Sequence, residues 1–383
     1  MTPSTIRTAE FVLPGHPDKL ADAIADAIVQ HAMRLEKRAL VGIEVALYRN
    51  VVFIDGRVAC KGAESIDFKS LVKDVYASAG YNIALPPAPH RVQVKSNICL
   101  GPLWRGEAKL REVADDQSIV TGFACSTPGT HGLPVEHALV RHLGIRLATL
   151  IRQQPDLRLG PDGKLIVLLR ESQDGMEWNL ERVSISIQHP ADWDSIVTRR
   201  AIAEYLRASA EAFAALVPGL EIANPLALHV NEAGDFVEGG PYGDNGLSGK
   251  KLVADFYGPR VPIGGGAMSG KDFWKADRAG PLIAREIALS AVQQFGCKQC
   301  TVTLAIFPGD RAFRITHAEA SNGQAIDVNL LASVADLRLC SQVNWPRRAG
   351  DLVQIARWGH FARLPSERST HHSLLLHHSD AAA

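Results

Sequence analysis

The chain has 383 residues, 46% of them hydrophobic and 21% charged, with 41 Lys plus Arg against 41 Asp plus Glu. This is the balance of a folded protein of two or three domains, and it excludes disorder, collagen and coiled coil. Zero net charge speaks against sequence-independent nucleic-acid binding, no apolar run reaches the roughly 18 residues of a membrane span, and Met1 to Arg7 lacks a signal-peptide core. The expectation is a cytoplasmic protein with neither nucleic acid nor membrane as a partner.

Residues 18–33 predict the first helix, with Leu20, Ile24, Ala27, Ile28 and His31 on one face and Gly15 and Pro17 marking its start. Two strands follow at 41–48 and 50–54, with Asp55-Gly56 as the turn signal after the second. The pattern predicts a helix over 66–79, a break at Pro86, Pro87 and Pro89, and a strand over 92–98. Beyond these come a helix over 133–153, strands over 165–170 and 183–188, a helix over 198–216 and a strand over 226–230. A helix over 281–295 and strands over 300–307 and 311–316 complete the series. Each third of the chain carries strands plus one or two amphipathic helices, which predicts an α+β protein of three similar modules.

Six cysteines are scattered apart from Cys297-x-x-Cys300, and no second pair or histidine set stands at zinc spacing, so reduced thiols are expected. The histidines of the tail, His371, His372, His377 and His378, read as a polar terminus.

The chemistry concentrates between Gly239 and Gly270, where ten of the chain's 32 glycines fall. Two Ser-Gly-Lys units lie there, Ser248-Gly-Lys250 and Ser269-Gly-Lys271, followed by Lys275, Asp277 and Arg278. Glycines let backbone N–H groups approach a ligand closely, and lysines bring full charge to phosphates. Gly265-x4-Gly270-Lys271 begins like a P-loop, but Asp272 stands where the magnesium-binding hydroxyl belongs and no apolar strand leads in, so that reading fails. Gly15-His-Pro-Asp-Lys19 opens the first helix, where an anion gains from the helix dipole and a carboxylate can carry Mg²⁺. Read alone, Asp18, Asp22 and Asp26 at i, i+4, i+8 make a solvated helix face. Asp115-Asp116-Gln117 and Asp162-Gly-Lys164 are weaker signals.

Gly15-His-Pro-Asp-Lys19 together with Gly264-Gly-Gly-Ala-Met-Ser-Gly-Lys-Asp272 resembles the S-adenosylmethionine synthetase (methionine adenosyltransferase) family. Ser186-Ile-Gln-His189, Gly239-Gly-Pro-Tyr-Gly-Asp244, Lys275-Ala-Asp-Arg278 and Gly359-His-Phe361 extend the match over nearly the whole chain. The resemblance implies three α/β modules around a pseudo-threefold axis, near 1–105, 106–230 and 231–383 and interleaved. It also implies flat sheets pairing subunits into a homodimer or tetramer with shared active sites. The implied reaction transfers adenosyl from ATP to methionine, then hydrolyses tripolyphosphate. Carried over by position, His16, Lys164, Lys250, Lys251, Lys271 and Lys275 serve the phosphates. Asp18 and Asp277 hold two Mg²⁺, and Glu44 holds K⁺. Phe236 stacks on adenine. Asp116, Asp162, Asp244, Ser269, Gly270 and Ile306 complete the ATP and acceptor contacts.

The chain departs from the family in five places. The glycine-rich hexapeptide around Asp-Gln is Val113-Ala-Asp-Asp-Gln-Ser118 here, Lys250 replaces an arginine, and Asp235 replaces the arginine before Phe236. Arg57 stands where the family's methionine-binding glutamate belongs, and Leu100 where a glutamine contact belongs. A cation facing a desolvated ammonium costs several kcal/mol. Arg57 therefore raises two alternatives: another thioether acceptor, or a non-catalytic nucleotide-binding paralogue.

Overall fold

The computed structural model describes residues 4–320, 323–344 and 350–361. Its core element is α1 (Pro17–Leu35), with Pro17 in the first turn and His16 as N-cap, whose Nδ1 accepts from Asp18 N at 3.2 Å. Leu20, Ile24 and Ile28 are fully buried, as their 3.6-residue spacing requires.

Three sheets surround this helix and its companions, giving a mixed α+β fold. The first has the order β1-β6-β7-β8, built from β1 (Ser4–Val12), β6 (Gly163–Ser172), β7 (Trp178–Ile187) and β8 (Leu220–Val230). The second runs β4-β3-β2-β9, from β2 (Leu40–Tyr48), β3 (Val51–Ala59), β4 (Gln93–Gly101) and the two-residue β9 (Gly246–Leu247). The third is β11-β10-β5, from β5 (Ser118–Cys125), β10 (Gln299–Ile306) and β11 (Arg314–Ala320). Each sheet draws on distant parts of the chain: β1 pairs with β6, β9 with β2, and β5 with β10.

The longer helices cover the inner faces: α2 (Phe68–Ala79), α3 (Val135–Gln153), α4 (Ser195–Ala214) and, after the single turn α5 (Leu252–Asp255), α6 (Ala276–Phe295). Two short helices, α7 (Val328–Ala332) and α8 (Leu352–Trp358), follow. The first two sheets share one core with α1, α3 and α4, while α6 and the third sheet form a second. Among the described residues no helix is long and apolar enough to cross a membrane.

Three expectations need correcting. Asp55-Gly56 is no turn: β3 runs through it. Gly56 has φ 120°, and a Cβ there would lie 2.0 Å from Gly42 O, so the glycine serves a close cross-strand approach. The reversal falls instead between Tyr48 and Val51, with Arg49 at φ 52°. β8 begins at Leu220, six residues before the predicted start, because Pro225 sits in an edge strand where a missing N–H is tolerated. α6 begins at Ala276, ahead of Pro281, and this places Asp277 in its first turn. The histidine tail lies outside the described residues.

Candidate active site

The chemistry-bearing residues form two clusters joined by the glycine loops. The first surrounds the start of α1. Asp18, Asp22 and Asp26 form no solvated face: all three are buried. Each accepts a backbone N–H from a glycine-rich loop, Asp18 from Leu247 at 3.0 Å, Asp22 from Gly249 at 2.8 Å and Asp26 from Gly270 at 3.0 Å. One acidic stripe of a helix therefore clamps both Ser-Gly-Lys segments. Gly270, at φ 83°, could not carry a side chain, since a Cβ would lie 2.1 Å from Ile43 O.

Buried cations balance the stripe. Arg278 donates to Asp26 Oδ1 at 2.8 Å and to Met268 O at 2.7 Å. Lys19 is enclosed between Asp255 at 2.5 Å and Asp22 at 3.5 Å, so it is a structural cation, not an anion holder. Asp272, the residue that spoiled the P-loop match, is also buried. It accepts from Val41 N at 2.7 Å, Arg111 at 2.8 Å and Trp274 N at 2.8 Å.

Around Asp18 stand Lys251 at 3.0 Å and Lys250 at 3.8 Å. Burial, then the nearby Lys164 and Lys251, pushes His16 down to about 3, so it stays neutral at ordinary pH. Its Nδ1 is spent on the helix cap, and its Nε2 has no hydrogen-bond partner among the described residues. Asp162 accepts from Gly240 N at 2.7 Å, and burial raises its carboxyl to about 6. Asp244 is exposed and electrostatically close to both His16 and Asp162. Phe236 is half-buried. Its backbone N–H donates to His189 Nε2 at 2.9 Å, while the His189 ring stacks on Trp193 at 3.7 Å.

The second cluster lies at the N-terminus of α6. Lys271 pairs with Asp277 at 2.6 Å, Ser118 Oγ donates to the other Asp277 oxygen at 2.7 Å, and Lys275 pairs with Asp115. Gly266 fits only because it lacks a side chain, since a Cβ would lie 2.3 Å from Asp277 Cγ. A cleft of about 730 Å³ runs past Glu44, Ser248, Gly264 to Ala267, Lys271 and Asp277. A second, of about 240 Å³, holds Asp115, Asp116, Gln117, Lys271, Lys275 and Asp277. Glu44 accepts from Ser248 Oγ at 2.5 Å.

Neither cleft is lined by the Asp18 cluster. Ser269, Gly270 and Ile306 are buried and shape the loops and the second core, contacting neither cleft.

Arg57 is also absent from both clefts. Its guanidinium makes a bidentate pair with Glu107 at 3.0 Å for both bonds, donates to Pro102 O at 2.8 Å, and lies 4.4 Å from the Trp104 ring. Hydrogen bonding to Arg57 holds the Glu107 carboxyl below its ordinary range. The charge that the sequence places at Arg57 is thus already answered within the chain. Arg57→Glu should set two carboxylates together and lower unfolding stability by about 1 kcal/mol, and adding Glu107→Arg should recover it. Urea unfolding of the two variants checks this, and loss without recovery would contradict the pairing.

Sequence reasoning missed Asp22 and Asp26 as loop clamps, and also Glu107, Arg111, Asp255 and the Asp115–Lys275 pair. The i, i+4, i+8 spacing of the aspartates and the paired carboxylates Asp115-Asp116 carried a signal, but neither named its partners.

Residues 4–98 match the S-adenosylmethionine synthetase N-terminal domain, and residues 238–339 match the C-terminal domain of the same family. The chain is 31% identical over 307 residues to an S-adenosylmethionine synthase of a Nitratiruptor species, covering 78% of this chain and 76% of that one.

Proposed function

Since the chain belongs to the S-adenosylmethionine synthetase family, we propose that it joins the sulfur of methionine to C5′ of ATP. The products are S-adenosylmethionine and tripolyphosphate, and the latter is cleaved to pyrophosphate and phosphate before release. The observation that carries this reading is the clamped loop pair: two Ser-Gly-Lys segments held by one acidic helix stripe, with Lys250, Lys251, Lys271 and Lys275 gathered at carboxylates.

A thioether sulfur needs no activated protein nucleophile, so the protein aligns sulfur with C5′ and stabilises charge on the departing polyphosphate. The lysines supply that charge, and His16, neutral, offers Nε2 as a hydrogen-bonding group beside them. Phe236, whose backbone N–H donates to His189, would stack on the base. Asp116, Asp162 and Asp244 supply acceptors for polar groups of the nucleoside and of the methionine ammonium.

The carboxylates also fit the family's metals. Mg²⁺ is usually held by one or two carboxylates with phosphates and water completing six ligands. Asp18, whose buried Oδ2 lies 3.0 Å from the Lys251 ammonium, and Asp277 each offer one such carboxylate. Among the described residues no three acidic, His or Cys side chains stand together as a metal-holding group, so Mg²⁺ bound there would take most of its ligands from phosphate and water. Glu44 with Ser248 would hold K⁺. When bound, the Mg²⁺ ions supply further positive charge against the polyphosphate. The pairing of Arg57 with Glu107 supports methionine as acceptor, because the Arg57 charge is answered within the chain.

Because the Asp18 cluster lines neither cleft, we read the complete site as assembled across a homodimer, the Asp18 cluster of one subunit facing the Asp277 cluster of the other. The three sheets would be the three pseudo-symmetric modules, their flat outer faces forming the contact. Lys164→Met and Lys271→Met should each retain well under a tenth of the parent rate alone, roughly the loss of one preorganised charge. After co-refolding, the mixed dimer should form S-adenosylmethionine from ATP and methionine, because one of its sites is intact. No recovery in a verified mixed dimer would contradict the shared site.

A further inference from the structure

Resting on the reading just given, the structure separates the carboxylates that face its lysines into two kinds. Lys251 pairs with Asp18 and Lys271 with Asp277, and both aspartates are assigned to metal, which would release those lysines for phosphate. Lys275 pairs with Asp115, which has no such duty. Both members line the smaller cleft, together with Lys271, Asp277 and Asp116. Its carboxylates therefore outnumber its lysines, three against two.

The pair is also held firmly. Lys275 is the N-cap residue of α6, and its backbone N–H donates at 3.2 Å to the carbonyl of the buried Asp272. Asp115 follows Ala114, whose N–H donates to Asp310 O and whose carbonyl accepts from Gly309 N, both at 2.8 Å. The Asp115 and Lys275 side chains are 15% and 21% exposed, so water screens the attraction only in part.

We propose that Asp115 is a built-in competitor of the polyphosphate: its carboxylate occupies Lys275 in the free enzyme, and the anion must displace it to bind. No atom of the reaction passes through Asp115. It sets how tightly the leaving group is held, and by returning to Lys275 it favours release. It is a specificity-determining residue that discriminates between anions by whether they can outbid a carboxylate at that ammonium.

The test is titration of the full-length protein with the non-hydrolysable diimido analogue of tripolyphosphate in the presence of Mg²⁺. Asp115→Asn keeps the shape and removes the charge, and should bind the analogue about three- to tenfold more tightly than the parent, the range set by losing one partly exposed ion pair. Asp115→Ser should move in the same direction. In a Lys275→Met background the gain should vanish, because the two residues act on one contact. Equal or weaker binding by both Asp115 variants, or a gain that survives Lys275→Met, overturns the proposal while leaving the phosphate reading intact. Absence of binding by the parent and the variants alike overturns both.

Discussion

Lys271→Met is expected to lower the rate of S-adenosylmethionine formation by on the order of 10²–10³-fold, the cost of removing one preorganised charge from a developing anion. The loop that carries it should survive. The backbone of Lys271 is fixed by its bridge to Gly42 and by the bond from its N–H to Met268 O, and neither depends on the side chain. Asp277 loses its partner lysine but keeps Ser118. Steady-state rates together with the unfolding midpoint check the claim. A folded variant turning over near the parent rate would remove Lys271 from the phosphate site.

Asp26→Ala should have the largest effect on stability. Arg278 and Asp26 are both fully buried, and removal of the carboxylate leaves a guanidinium in the core that still donates to Met268 O and lies over the Phe273 ring but has lost its carboxylate. Stranding one member of a buried ion pair costs about 3–5 kcal/mol. Gly270 N also loses its acceptor, so the second Ser-Gly-Lys segment loosens at the same time. Urea denaturation should show a midpoint shift of that size. A loss below about 1 kcal/mol would mean that Arg278 finds another partner and that the acidic stripe is not what holds the loops.

These two residues mark how far the sequence could be read. Lys271 was legible because a Gly-rich Ser-Gly-Lys segment names its own chemistry, and the match with Gly15-His-Pro-Asp-Lys19 named the family. Asp26 was not, because i, i+4, i+8 spacing fits a solvated face as well as a buried clamp. The partners that decide between them lie more than 220 positions along the chain. Arg57 shows the same limit in the other direction: its identity was plain, but the Glu107 that answers its charge is 50 positions away and shares no period with it. Helices with clear 3.6-residue stripes were placed to within a few residues. β1 was not found, because its first half, Ser4 to Thr8, shows little of the alternation that marks a half-buried strand. Gly56 and Pro225 misled because turn residues also serve close approaches and edge strands.

Everything proposed for the lysines and carboxylates depends on adenosyl transfer from ATP to methionine. The decisive assay incubates the purified protein with ATP, Mg²⁺ and K⁺, with and without methionine, and separates nucleosides and phosphates by chromatography. S-adenosylmethionine is expected only when methionine is present, accompanied by pyrophosphate and phosphate in equal amounts. ADP as the nucleotide product, or ATP left untouched by a folded dimer, would contradict adenosyl transfer.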